Sequence, residues 1–361
     1  MKIIAFYLPQ FHEIEENNIW WGEGFTEWTN VKKAIPLYKG HRQPRIPYKA
    51  FYYNLLDLQT LKYQAKLAGE YGISGFCYYH YWFNGKLLLE KPVELLLKNE
   101  DIDIQFCFCW ANEPWTRSWD GKNRKIIMPQ QYGGMEDWEK HFNYLLPYFK
   151  DHRYIKMDNC PMFILYKSED IKQCGQMIDF FNRRCREYGF NGIYIAEEIN
   201  GSQKKPVYQN SRAVVEFEPS YVINDYNNVA LMLVKAIREI RKNIFHRPIF
   251  FSYDRLWKKI LKEKLEFSNK QIFFGAFVDW DNTPRRGKKA TVVRGYSREK
   301  FERYMRLLIK KAEEKGGEYL FINAWNEWAE GAYLEPDECW GFQKLSIIKK
   351  VLAEIQKEEL N

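Results

Sequence analysis

The sequence has no apolar run approaching the about 18 residues that a membrane span requires. It has no C-x-x-C pair, so neither a zinc site nor a redox motif is supported. No stretch rich in Pro, Gly or Ser and no break in composition divides the chain, which predicts one domain over residues 1–361. Neither G-x-x-x-x-G-K-[ST] nor G-x-G-x-x-G occurs, and Gly22-Glu23-Gly24 stops short of a phosphate-binding loop. Zinc-finger spacing and the aromatic motif of an RNA-recognition sheet are missing, which argues against a nucleic-acid partner. The N-terminus runs Met1-Lys2-Ile3-Ile4-Ala5-Phe6 straight into strand-like sequence, without the apolar region and cleavage site of a signal peptide. With seven cysteines spread without pattern, the expectation is a chain kept in a reducing cytoplasm.

What is present is an ordinary globular balance, 46% apolar and 28% charged, with an aromatic surplus of 17% that includes 13 Trp. The net charge is +8, and the excess is local. Arg285, Arg286, Lys288 and Lys289 surround Gly287, and residues 258–264 form a second basic stretch. Such stretches read first as solvated surface. Their functional reading is contact with an anionic partner, such as membrane phospholipid or a pyrophosphate-linked glycan.

Eight short runs rich in Ile, Val, Phe and Tyr predict buried strands at 2–7, 73–79, 104–110, 162–166, 193–197, 213–217, 273–278 and 319–325. A ninth run, 248–253, competes for a place. Helical spacing recurs between them. Phe301, Tyr304, Met305, Leu308, Ile309 and Ala312 follow a candidate N-cap at Ser297, and Leu55, Leu58, Leu61 and Ala65 repeat the pattern. So do Phe342, Leu345, Ile348, Val351, Leu352 and Ile355. Eight strand–helix repeats predict an α/β fold, a (β/α)8 TIM barrel with long loops. The longest irregular stretch, about 12–53, would be the loop after the first strand, and loops of that length are usually functional.

Barrel chemistry sits at the C-terminal ends of the strands. There the sequence places Tyr7 and His12 (strand one), Tyr79, His80 and Trp82 (two), and Trp110, Asn112, Glu113 and Trp115 (three). It adds Glu197-Glu198 after strand five, Glu216 and Glu218 after six, Asp279, Trp280 and Asp281 after seven, and Trp325, Asn326, Glu327, Trp328 and Glu330 after eight. Trp20, Trp21, Trp28 and Trp119 fall in loops on the same rim, whereas Trp138, Trp257 and Trp340 do not. Indole faces stack on the apolar face of a pyranose, and its hydroxyls need charged or amide partners, so this rim suits a sugar. Glycoside chemistry requires one carboxyl kept protonated as acid and a second kept ionised as base or nucleophile. Glu327 and Glu330, three residues apart beside Trp328, are the candidate catalytic pair; mutual repulsion and apolar neighbours would separate their pKa values. Glu113 is a rival, as a substrate-binding residue first and a catalytic one second. The remaining rim residues named for strands one to three, seven and eight are candidate substrate contacts, with Asp279 and Trp280 facing sugar hydroxyls.

The strings Tyr7-Leu8-Pro9-Gln10-Phe11-His12, Gly24-Phe25-Thr26-Glu27-Trp28-Thr29-Asn30, Gly75-Phe76-Cys77-Tyr78-Tyr79-His80-Tyr81-Trp82-Phe83 and Trp110-Ala111-Asn112-Glu113 resemble the WbsX-type proteins of bacterial surface-polysaccharide loci. So does Trp325-Asn326-Glu327-Trp328-Ala329-Glu330-Gly331. The resemblance runs from about residue 2 to 350. Proteins of this type are described as glycosyltransferases, yet they look like relatives of glycoside hydrolase family 99, barrels that cleave internal α-mannosidic bonds with retention and without a metal. The family 99 motif is Asn-Glu-Trp-His-Glu-Gly, and Ala329 replaces its His. The resemblance implies that Glu327 takes the proton of the sugar 2-hydroxyl, which attacks its own anomeric carbon to give an anhydro-sugar. It implies that Glu330 protonates the leaving oxygen and then activates water or another acceptor. No cofactor is implied.

Three readings remain open: a retaining hydrolase or transglycosidase, a nucleotide-sugar glycosyltransferase, and a non-catalytic glycan-binding barrel. The second would use a D-x-D metal site. Asp101-Ile102-Asp103 precedes its strand on the wrong side of a barrel, while Asp279-Trp280-Asp281 ends strand seven. A cytoplasmic enzyme would meet glycans under assembly on a lipid pyrophosphate at the inner membrane face, so the expected partner is a lipid-linked glycan with peripheral membrane contact.

Overall fold

The structure is a computed structural model that describes residues 1–116, 126–224 and 247–359. Eight strands form its centre: β1 (Lys2–Tyr7), β2 (Ile73–Phe83), β3 (Gln105–Trp110), β4 (Cys160–Leu165), β5 (Tyr194–Ile199), β6 (Ala213–Glu216), β7 (Gln271–Phe277) and β8 (Tyr319–Asn323). Neighbours pair in parallel in chain order, and β1 pairs with both β2 and β8, so the sheet closes into a (β/α)8 TIM barrel. All eight predicted strands are present. Their apolar runs are buried on both faces, as closure between a core and a helical shell requires. Inside, Phe6 packs on Tyr79, Phe217 and Phe321 with ring centroids 5.2–5.7 Å apart. Gly275 on β7 admits no side chain, because a Cβ there would lie 2.1 Å from the Glu216 carbonyl oxygen.

The shell comprises α1 (Glu15–Trp21), α2 (Glu27–Lys33), α3 (Leu58–Glu70), α4 (Lys91–Lys98), α5 (Met135–Lys150), α6 (Cys174–Glu187), α7 (Tyr253–Lys262), α8 (Arg298–Glu314) and α9 (Gln343–Glu359). Ser297 caps α8, its hydroxyl accepting from the Lys300 amide at 3.3 Å, and the six apolar residues expected on that helix are buried. The long first loop carries α1 and α2 before α3 begins.

Three departures from expectation matter for the site. First, β2 runs on to Phe83, because its end pairs antiparallel with Lys86–Leu88. Second, the ninth run forms Ile249–Ser252, which pairs with Thr291–Arg294 outside the barrel. Third, the link from β5 to β6 carries no helix. Buried Glu197 holds that link instead, accepting from the Val207 amide at 2.7 Å, the Tyr208 amide at 3.1 Å and the hydroxyls of Ser211 and Ser168. No helix among the described residues is long and apolar enough to cross a membrane.

Candidate active site

The chain leaving β8 is pinned at once. Asn326 accepts from the Leu8 amide at 2.7 Å and donates to the Leu8 carbonyl at 3.0 Å, so the end of β8 is tied to the end of β1. Asn326–Glu327 then pairs with Ala332–Tyr333, and one 3₁₀ turn, Trp328–Glu330, joins them. Gly331 closes the turn at φ +66°, and a Cβ there would lie 2.9 Å from Cζ of Arg45. The position takes glycine on both counts.

This hairpin delivers Glu327 and Glu330 to one guanidinium. Arg285 donates from Nη2 to Glu327 at 2.9 Å and from Nη1 to Glu330 at 2.6 Å. Its Nε donates to Glu27, on the first turn of α2, at 2.8 Å. Three carboxylates therefore surround one cation whose side chain is only 11% exposed. Glu27 is fully enclosed and Glu327 nearly so, whereas Glu330 keeps 20% of its side chain exposed. Burial pushes Glu327 up to about 8; Arg285 pulls it back, and the charges of Glu330 and Glu27 push it further up. Burial raises Glu27 as well.

Arg285 is itself placed by the segment after β7. Asp281 accepts from the Thr283 amide at 3.0 Å, which starts the short helical turn Thr283–Arg286, and its own amide donates to the Glu330 carbonyl at 2.6 Å. His41 and Gln43 of the first loop hold its other oxygen, each at 2.7 Å. A cleft of about 490 Å³ lined by Trp21, Phe25 and Arg286 reaches Arg285 from the α2 side.

The mouth is completed by residues that alternate inward. The charge of Glu327 acts on Tyr79 and Tyr81 of β2, and Glu198 of β5 acts on Tyr79 and Tyr166. Glu198 is buried and bonded to Asn200 at 3.1 Å; burial holds its carboxyl well above the usual range. Glu113 sits half-exposed on the same rim, 3.6 Å from the Lys167 ammonium, its pKa raised by burial. Trp115 stands edge-on to Tyr81 at 5.1 Å and to Trp20 at 5.7 Å.

Several expected substrate contacts face elsewhere. The extension of β2 turns His80 and Trp82 outward onto α5: the His80 and His141 Nε2 atoms lie 2.9 Å apart, and Trp82 stacks on His141 at 4.6 Å. Trp82 also donates to Asp137 at 3.1 Å, and Trp110 donates to the Trp82 carbonyl at 3.1 Å. Tyr7 donates to Gln64 of α3 at 2.6 Å. Trp325 is fully buried against Phe76, and Trp328 stacks on Tyr333 at 3.8 Å while donating to Glu335. Asn112 and Asn326 spend their amides on backbone, Asn112 joining β3 to the Lys167 peptide beyond β4. His12 is enclosed, and burial lowers it to about 4. Asp279 is taken by Arg45 at 2.8 Å, and Trp280 is half-buried against the core. Glu216 and Glu218 are also buried, accepting from the Gly275 and Val222 amides. The reason is common to most of them: at a strand end every second side chain points into the helical shell. Trp119 lies outside the described residues.

Sequence reasoning missed Arg285, which reads as solvated basic surface, and Glu27, which sits in a quoted motif without a role. A signal existed for the first: two carboxylates at a buried turn require a cation nearby. For Glu27 it was the buried α2 face of Glu27, Trp28, Asn30 and Val31.

The family described as "Glycosyltransferase WbsX" matches residues 3–348. Two curated relatives, both "Uncharacterized protein WxcX" from strains of Xanthomonas campestris pv. campestris, are 33% identical over 359 and 360 residues. Each alignment covers 97% of this chain and 49% of the relative, so the chain spans about half the length of these proteins. Among solved structures, the GH99 endo-alpha-mannosidase of Bacteroides thetaiotaomicron in complex with bis-tris-propane superposes with a TM-score of 0.59 at 14% identity, covering 99% of this chain and 98% of that one. A "Glycoside hydrolase-like protein" gives 0.59 at 12% identity, covering 97% and 93%. At such identities the likeness concerns the fold.

Proposed function

The chain belongs to the WbsX glycosyltransferase family, and from that premise we propose that it is a retaining carbohydrate-active enzyme, a glycosidase or transglycosidase acting on a bacterial surface polysaccharide or its lipid-linked precursor. The observation that carries this reading is the convergence of Glu327 and Glu330 on Arg285 at the mouth of the barrel. In the proposed reaction the Glu327 carboxylate takes the 2-hydroxyl proton as O2 bonds to the anomeric carbon. The glycosidic oxygen leaves with the proton of Glu330. Glu330 then takes a proton from water or an acceptor hydroxyl, whose oxygen attacks the anomeric carbon; the O2 bond breaks and O2 recovers its proton from Glu327.

The two carboxyls have unequal surroundings. Glu327 is enclosed among Arg285, Tyr79 and Tyr81, whereas Glu330 reaches solvent, where a leaving group departs and an acceptor arrives. Ala329, at the place of the family 99 His, is fully buried, so the turn presents no side chain there. Tyr79, Glu113 and Trp115 are the expected substrate contacts near this centre. Turnover of a glycoside whose leaving group needs a proton tests the reading: Glu330→Gln and Glu327→Gln should each lower it about 10²–10⁴-fold, and unchanged turnover in either would overturn it. The family's name favours a second reading, transfer from a nucleotide sugar. Tight calorimetric binding of a nucleotide sugar, dependent on manganese, would select it.

A further inference from the structure

Beside the carboxylate centre lies a groove of about 1010 Å³, formed by the first loop, the segment after β7 and the segment after β8. Its wall is bonded to the turn that carries Glu330. Arg45 donates to the Gly331 carbonyl at 3.1 Å, and the Asp281 amide donates to the Glu330 carbonyl at 2.6 Å.

The acids of the groove are already satisfied. Asp279 is paired with Arg45 at 2.8 Å, and Asp281 with His41 and Gln43 at 2.7 Å each. Asp337 is held by Lys344 at 3.1 Å and by the Tyr333 hydroxyl at 2.7 Å, and Glu338 accepts from the Lys49 amide at 2.5 Å. The cations are not. Lys39, Arg42 and Arg294 are exposed and have no carboxylate partner among the described residues. Arg42 lies over Trp340 at 4.7 Å, and Arg294 over Tyr38 at 4.0 Å and Phe250 at 3.4 Å. Arg42 also donates from Nη1 to the Cys339 thiol sulfur at 2.8 Å, and Arg294 bonds the Tyr38 hydroxyl. These neutral partners and the rings hold the guanidiniums without neutralising them, and their remaining N–H groups can meet an oxyanion. Tyr296, whose hydroxyl has no hydrogen-bond partner among the described residues, packs edge-on against Trp340 at 5.3 Å and adds aromatic surface.

We propose that this groove binds an anionic residue of the glycan, its oxyanion held by Arg42, Arg294 and Lys39 and its ring carried by Tyr296 and Trp340. The inference rests on the glycan reading of the site and adds that the substrate is acidic. A uronate carboxylate and a pyrophosphate linking the glycan to lipid present the same chemistry, and the test separates them.

Calorimetry on the full chain uses three probes: an oligosaccharide bearing one glucuronate, the same oligosaccharide with that carboxylate reduced, and a neutral oligosaccharide joined to a short prenyl pyrophosphate. At least one charged probe should bind about tenfold or more tightly than the reduced one. Its affinity should fall as salt rises, and its identity names the source of the charge. The double variant Arg42→Gln/Arg294→Gln should lose that preference. Lys39→Gln, at an exposed position, should weaken charged probes about threefold and serves if the double variant does not fold. Equal binding of charged and reduced probes, or an unchanged preference in the folded variants, would overturn the proposal. Repeating the titrations on Glu330→Gln protein keeps the result independent of turnover, so the groove and the proposed reaction can fail separately.

Discussion

The carboxylate centre and the neighbouring groove are built from the same three segments, yet their charge is balanced in opposite ways. At the centre one guanidinium, Arg285, serves three carboxylates, so negative charge is in excess and burial keeps protons on it. In the groove every acid has a partner within the protein, and positive charge is left over on Lys39, Arg42 and Arg294. An excess of buried negative charge suits proton transfer and a cationic transition state. An excess of exposed positive charge suits a bound anion. Arg45 joins the two, reaching Asp279 on one side and the Gly331 carbonyl on the other.

The contrast can be broken at its strongest point first. Glu330→Gln should cost about 10²–10⁴-fold in turnover, the usual worth of a positioned general acid. The loss should shrink with a leaving group that needs no proton, which a comparison of two glycosides measures. Next in size is Arg285→Met, which leaves three carboxylates around an apolar side chain. Removing one partner of a buried ion pair costs about 3–5 kcal/mol, and denaturant unfolding should show a loss of that order.

A third test reads the charge of the centre directly. Only ionised Glu327 can act as the base, and its pKa is raised to about 8. Activity should therefore rise with pH through about 8. The Arg285 cation lowers that pKa, so Arg285→Gln should move the rising limb to higher pH; a pH–rate profile of each protein decides. The smallest effect belongs to the groove. Trp340→Ala removes one aromatic face and should weaken glycan binding several-fold in a titration without moving the pH limb.

Much of the fold was legible because burial on both faces leaves a plain mark, a short apolar run between helical patterns. Buried polar anchors were harder. Glu197 reads as a rim carboxylate but spends its oxygens on the loop between β5 and β6. His80 and Trp82 read as rim residues because nothing local shows that β2 continues to Phe83 through pairing with Lys86–Leu88. The aromatic surplus was only partly a surface signal. Trp110, Trp257, Trp325 and Trp328 are fully buried, while Trp340, which the strand-end rule passed over, lines the groove.

The sequence by itself determined the eight strands and the neighbourhood of Glu327 and Glu330, because periodicity and a three-residue spacing are local properties of a chain. Only the tertiary structure decided what those carboxylates face. Arg285 and Glu27 are 258 positions apart, as the bond between them records, and barrel closure brings them to one point. Which cations remain unpaired was decided the same way. A basic residue in sequence becomes a buried counter-ion or an open anion site according to the acids that distant segments place beside it, and no local pattern encodes that.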